Sequence, residues 1–171
     1  MIQISYKLTK EEIYRGLVAT SKSRFVTKLM TGFGLVMAAA MLFIISNRLA
    51  NGGFAFSVTS VFPLFLGIYL LFLSEITAKF QVPNIIKTKN AFTEQVRVKI
   101  DKSAFRITGE TSDSQIKWDK FAEIVETKEF FLLKASDGIA NILPKRAFTE
   151  EDNARFKILL SSLNGPKVKL N

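Results

Sequence analysis

The chain has 171 residues, 24 Lys and Arg against 15 Asp and Glu, and neither His nor Cys. Without those two residue types there is no imidazole base, no thiolate nucleophile and none of the usual zinc ligand sets, so the commonest catalytic and metal chemistries are removed. The net charge of +9 favours anionic surroundings, but it is spread along the chain.

The chain opens with MIQISYKLT, where Ile2, Ile4, Tyr6 and Leu8 alternate with polar residues at the period of a half-buried strand. Thr9 and Glu12 then stand at capping-box spacing, which predicts a helix through EEIYRGLVATSK. This helix has an apolar face and several cations, suited either to a membrane surface or to packing on a downstream domain. Residues 1–28 are read as a cytoplasmic strand and amphipathic helix.

Two uncharged runs follow. Leu29 to Asn47 reads LMTGFGLVMAAAMLFIISN, and Leu49 to Ser74 ends in VFPLFLGIYLLFLS. About 20 apolar residues cross about 30 Å of hydrocarbon, so residues 29–80 are expected to form a transmembrane helical hairpin, with spans at about 29–47 and 55–75. The glycine-rich NRLANGG is the turn. Pro63 either kinks the second span or lies in its first turn. Gly34 and Ala38, four residues apart, suit a close helix contact. Six basic residues precede the first run, Lys79, Lys87 and Lys89 follow the second, and only Arg48 lies between. The positive-inside rule then places both termini in the cytoplasm. Beyond the second run a helical stretch is expected to stop near Val82-Pro83.

Residues 90–164 alternate repeatedly. EQVRVKI, SAFRITG, SQIKW, FAEIVET, EFFLLKA and IANIL read as six strands separated by turns such as 111–113 and Asp137-Gly138. A final helix begins at Thr149, presents Phe156, Leu159, Leu160 and Leu163 on one face, and stops at Gly165-Pro166. Residues 165–171 are expected to be a flexible tail. With the N-terminal strand counted, the plan is a pleckstrin-homology-like (PH-like) antiparallel sheet or partial barrel capped by a C-terminal helix. The fold class is therefore an α+β membrane protein.

The acidic residues suggest structure rather than catalysis. Glu150, Glu151 and Asp152 complement a helix N-terminus, while Asp119, Glu123 and Glu126 fall at outward strand positions. Gly32-Phe33-Gly34 lacks the context of a phosphate loop. Residues 75–171 hold 17 basic and 13 acidic residues, which is no concentrated basic stripe, so nucleic acid is not an expected partner. Trp118, beside Phe121, is expected in the core.

The last third is the most distinctive. IKWDKFAEIVETKEFFLL, a tryptophan-led strand pair, and NILPKRAFTEED, a proline-basic-aromatic passage into the last helix, resemble the YcxB-like family. That resemblance implies a bacterial inner-membrane protein with two spans and a PH-like domain, and it implies no activity. The expectation is a non-enzymatic protein with no catalytic, cofactor or metal residues. Its partners would be the lipid bilayer, a protein, and possible further copies of itself. Headgroup contact falls to Lys87, Lys89, Lys145 and Arg146. The alternative is a membrane-resident immunity protein that neutralises a toxin by binding it.

Overall fold

A computed structural model describes residues 1–53, 58–88, 92–135 and 140–170, and divides into two compact units. Met1–Thr20 and Gln81–Asn171 form one unit, and Ser21–Phe80 the other. The N-terminal segment thus folds with the distant last half of the chain.

The first unit is built on two four-stranded sheets. β1 (Ile2–Tyr6), β2 (Val96–Ile100), β3 (Ala104–Thr108) and β4 (Asp113–Lys117) pair in that order, all antiparallel. β1 and β2 alternate strictly between buried and exposed, because their apolar residues recur every second position. The register sets Ile4 opposite Val98 and Val98 opposite Ile107, so apolar side chains gather on one face. The second sheet has β5 (Phe121–Glu126), β6 (Phe130–Ala135) and β7 (Ala140–Pro144), with the order β7-β6-β5-β8. β6 is buried along nearly its whole length, in keeping with its continuous FFLL run.

β8 (Lys167–Lys169) adds to β5 in parallel, pairing Glu123 with Lys167, Ile124 with Val168 and Val125 with Lys169. Residues 165–171, expected as a flexible tail, therefore hold an eighth strand. Three residues are too short for a periodic signal; what orders them is the open edge of β5 and the partial burial of Val168 and Leu170 on the core.

Two helices complete this unit. α1 (Lys10–Lys22) is started by the capping box: the Thr9 N–H donates to Glu12 Oε2 at 2.9 Å and the Glu12 N–H to Thr9 Oγ1 at 3.2 Å. Of the two placements open to α1, its buried Ile13 and Gly16 answer for packing. A Cβ on Gly16 would stand 2.6 Å from Ile142 Cδ1, so glycine is what lets α1 approach β7. α5, the last helix (Glu150–Ser161), is capped by Thr149, whose hydroxyl accepts from the Asp152 N–H at 3.1 Å. Its Phe156 and Leu160 are fully buried.

Aromatic rings occupy two places in the core. Phe131, Phe148 and Phe156 meet with centroids 5.0–5.6 Å apart, and Phe105, Trp118 and Phe121 at 5.8–6.2 Å. Trp118 is buried as expected, and its indole N–H donates to the Asp101 carbonyl at 3.0 Å.

The second unit is helical. α2 (Phe25–Ala50) and α3 (Val58–Leu71) pack antiparallel: Gly34 lies against Gly67 and Leu70, and Ala38 against Gly67. A Cβ on Gly34 would fall 2.8 Å from the Gly67 carbonyl oxygen, so the contact depends on bare backbone at both positions. The pair that the sequence suggested only by its spacing is the helix crossing.

α2 is long and apolar enough to cross a membrane, with mean hydropathy 2.2 over its most apolar window, of which 11% is buried. The second run is not one straight helix. The segments Val61–Leu71 and Leu73–Thr88 bend by 59° at Phe72, where α4 (Leu73–Thr88) begins. Pro63 sits inside α3, so neither expectation for it locates the bend. Residues 54–57, at the start of the expected second span, and Asp137-Gly138 lie outside the described residues. α4 also runs through Pro83 rather than stopping before it. Val82, Ile85 and Ile86 pack on the core of the β unit, and that burial outweighs the hydrogen bond the proline cannot donate.

Candidate functional site

The corner that joins β7 to α5 carries two sets of paired charges. Pro144 ends β7, and Lys145–Ala147 make one turn of 3-10 helix before Phe148 tucks into the core against Phe156. Lys145 and Arg146 of this turn meet different carboxylates.

Lys145 Nζ reaches Glu126 Oε1 at 2.5 Å and lies 5.2 Å from the centre of the Phe131 ring. Lys157, from α5, donates to the same Glu126 oxygen at 2.7 Å. Glu126 closes β5 and is only 3% exposed. The expectation that it faces outward is corrected: the bulge between Phe121 and Glu123 breaks the simple alternation of β5. A carboxylate so buried is tolerable because two ammonium groups neutralise it.

Arg146 engages Glu12 through both ends of its guanidinium fork, Nε to Oε1 at 2.5 Å and Nη2 to Oε2 at 2.8 Å, and Nη2 also donates to the Lys7 carbonyl at 2.9 Å. The same carboxylate accepts the Thr9 N–H of the capping box. The arginine holds the Glu12 carboxyl down to about 2 from an ordinary 4.5, helped by the Thr9 bonds against the opposing effect of burial. One side chain thus ties the first turn of α1 to the corner 134 residues later.

A third set surrounds Glu123, which takes Lys134 Nζ on Oε2 at 2.6 Å and Lys169 Nζ on Oε1 at 2.5 Å. These carboxylates are each closed by cations of the chain itself. Among the described residues no three Asp or Glu side chains converge as a metal site would require.

The four cations expected at headgroups are therefore differently placed. Lys145 and Arg146 are paired with internal carboxylates, Lys87 is exposed at the end of α4, and Lys89 lies outside the described residues. The capping box marked Glu12 as the partner of Thr9, but nothing local marks Glu12 as the partner of Arg146 or Glu126 as the partner of Lys145.

Elsewhere on this unit a groove of about 740 Å³ runs between the β2–β3 turn and α5, lined by Met1, Ile100, Lys102, Arg155 and Ile158 among others. Met1 is 87% and Ile158 71% exposed, the large exposed apolar side chains of the unit among the described residues. At its other end Asp101 holds the turn, its carboxylate accepting from the Ser103 hydroxyl and from the Ser103 and Ala104 N–H groups. Those bonds, the hydroxyl's first, keep its carboxyl below the ordinary value.

Fold and site together define an α+β protein with a charge-knotted β unit and an apolar helical unit. Residues 100–160, from the end of β2 into α5, match the family model described as YcxB-like protein, which identifies this region as YcxB-like. No curated protein and no solved structure matches the chain.

Proposed function

We propose that this is a non-enzymatic protein of the bacterial inner membrane, in which the helical unit is the anchor and the β unit binds a protein partner at the cytoplasmic face. The observation that supports it best is the exposure of the helical unit. Phe25, Leu29, Phe33, Leu35, Val36, Leu42 and Phe43 of α2, and Phe62 and Phe65 of α3, all face outward, which hydrocarbon would accept and water would not. A buried core helix of a soluble protein would be covered, and α2 is not. In this reading α2 is one span and the bent α3–α4 pair enters the bilayer as the other, with both termini inside.

The β unit is read as PH-like. Strands β1–β4 in one sheet, β5–β7 in the next and a following helix support that plan, with the helical segments inserted after β1 and α1. A protein partner is favoured over headgroups because Lys145 and Arg146 already spend their charge on Glu126 and Glu12. If that partner is a toxin, the role is immunity.

Reporter fusions at Ala50 and after Asn171, with an alkaline carbonate wash of the membranes, test the anchor. The expected result is a chain that resists the wash, with the Ala50 reporter active outside and the other inside. Release by carbonate, or two reporters on one side, ends the proposal.

A further inference from the structure

We propose that β8 is an exchangeable strand, and that the β5 edge is a docking surface for the β8 segment of a second copy of this chain. The inference does not depend on whether the helical unit enters a bilayer.

The occupant is defined by what the edge already holds. Beside β5 lies an extended segment of alternating basic and apolar residues, Lys167, Val168, Lys169 and Leu170, with the apolar pair partly buried and the lysines exposed. Glu123 receives one of the basic residues: one of its oxygens is held by Lys134 from the neighbouring strand, and the other by Lys169. A second copy presents the same four residues, so it satisfies the same contacts by identity.

The hold on β8 within one chain is slight. Only three residues pair, in the parallel arrangement that is the less stable per residue. The strand lies at the sheet edge, the place where backbone groups are open to pairing with another chain. Its connection to α5 is also short. The chain leaves the helix at Ser161 and enters β8 at Lys167, passing through Gly165 at φ +144°, a conformation other residues rarely adopt, and then Pro166. A short connection before an edge strand favours exchange, since a partner's copy of the strand recovers the same contacts.

The absence of cysteine makes a direct test possible. Two differently tagged full-length chains are produced together, one with Val125→Cys and the other with Lys169→Cys, residues that face each other across the β5–β8 pair. Neither chain alone can close a disulfide. Mild oxidation is expected to give a disulfide joining the two tags. That product should be lost when a short Gly/Ser insertion after Asn164 lengthens the connection, so that β8 closes on its own chain, and when Gln115→Cys on β4 replaces Val125→Cys as a collision control. A chain carrying both cysteines reports the closed form by its internal disulfide. An internal disulfide in that chain with no cross-copy product overturns the proposal, as does cross-copy product of equal yield in the collision control. If Lys169→Cys itself loosens the strand, size measurement of the unsubstituted chain against one lacking residues 167–170 decides. Equal sizes then overturn the proposal, and a smaller assembly in the shortened chain supports it.

Discussion

Phe131 and Phe43 are the same residue in opposite circumstances. Phe131 in β6 has no exposed surface and touches two other rings, while Phe43 in α2 is 72% exposed. The contrast extends to the units around them. In the β unit the large apolar side chains make the core and the charged groups close on one another at its rim. In the helical unit the large side chains point away, and the helices meet through Gly34, Ala38 and Gly67. Burying side-chain area is the stabilising device where water surrounds the protein. Close backbone approach through small residues is the device that remains useful where the surroundings are themselves apolar. The ion pairs of the corner belong to the unit with the buried core.

The largest expected effect breaks the comparison at the two phenylalanines. Phe131→Ala should destabilise the β unit by about 3–5 kcal/mol, the usual result of emptying an aromatic site in a packed core. Phe43→Ala should move it by less than about 0.5 kcal/mol. Denaturation followed by Trp118, the sole tryptophan and a member of the β-unit core, reads both. Equal losses would mean that α2 carries a covered surface after all.

A smaller effect sharpens the other half. Gly34→Leu places side-chain atoms where the Gly67 carbonyl and Leu70 stand, and should cost the helix pair about 1–3 kcal/mol. In detergent this should lower the helical melting transition seen by circular dichroism, with the Trp118 signal changed less. An unaltered helical transition would remove Gly34 from the crossing.

The smallest effect concerns acid. Glu12 ionises near 2 in the folded protein and near 4.5 ordinarily, so it binds protons more readily when unfolded. Its contribution is fully present above pH about 4.5 and is lost as the pH falls toward 2. With the guanidinium half exposed, screening reduces that contribution to about 1–2 kcal/mol. Arg146→Ala should remove it at neutral pH and flatten the decline of stability between pH 5 and 2. A slope identical to that of the unsubstituted chain would show that the pair is not what holds Glu12 ionised.

Much of the fold was legible because it rests on local period. The alternation in β1 and β2, the Thr9–Glu12 box, the Thr149 cap and the uncharged run of α2 each announce themselves within a few residues. The site was legible only in part. Lys145 and Arg146 stood out as adjacent cations, yet their carboxylates lie 19 and 134 residues away, beyond the reach of any spacing rule. β8 and the passage of α4 through Pro83 were hidden for the same reason: each exists because a distant surface receives it.

The sequence by itself thus determined the absence of imidazole and thiol chemistry, the apolar character of α2, and the period of the strands and helices. Those are properties of residues and their near neighbours. Tertiary structure alone decided that Glu126 is buried between two lysines and that a three-residue segment closes the β5 edge. Each of these is a long-range contact, and its stabilisation comes from desolvation and charge pairing that only the assembled core provides.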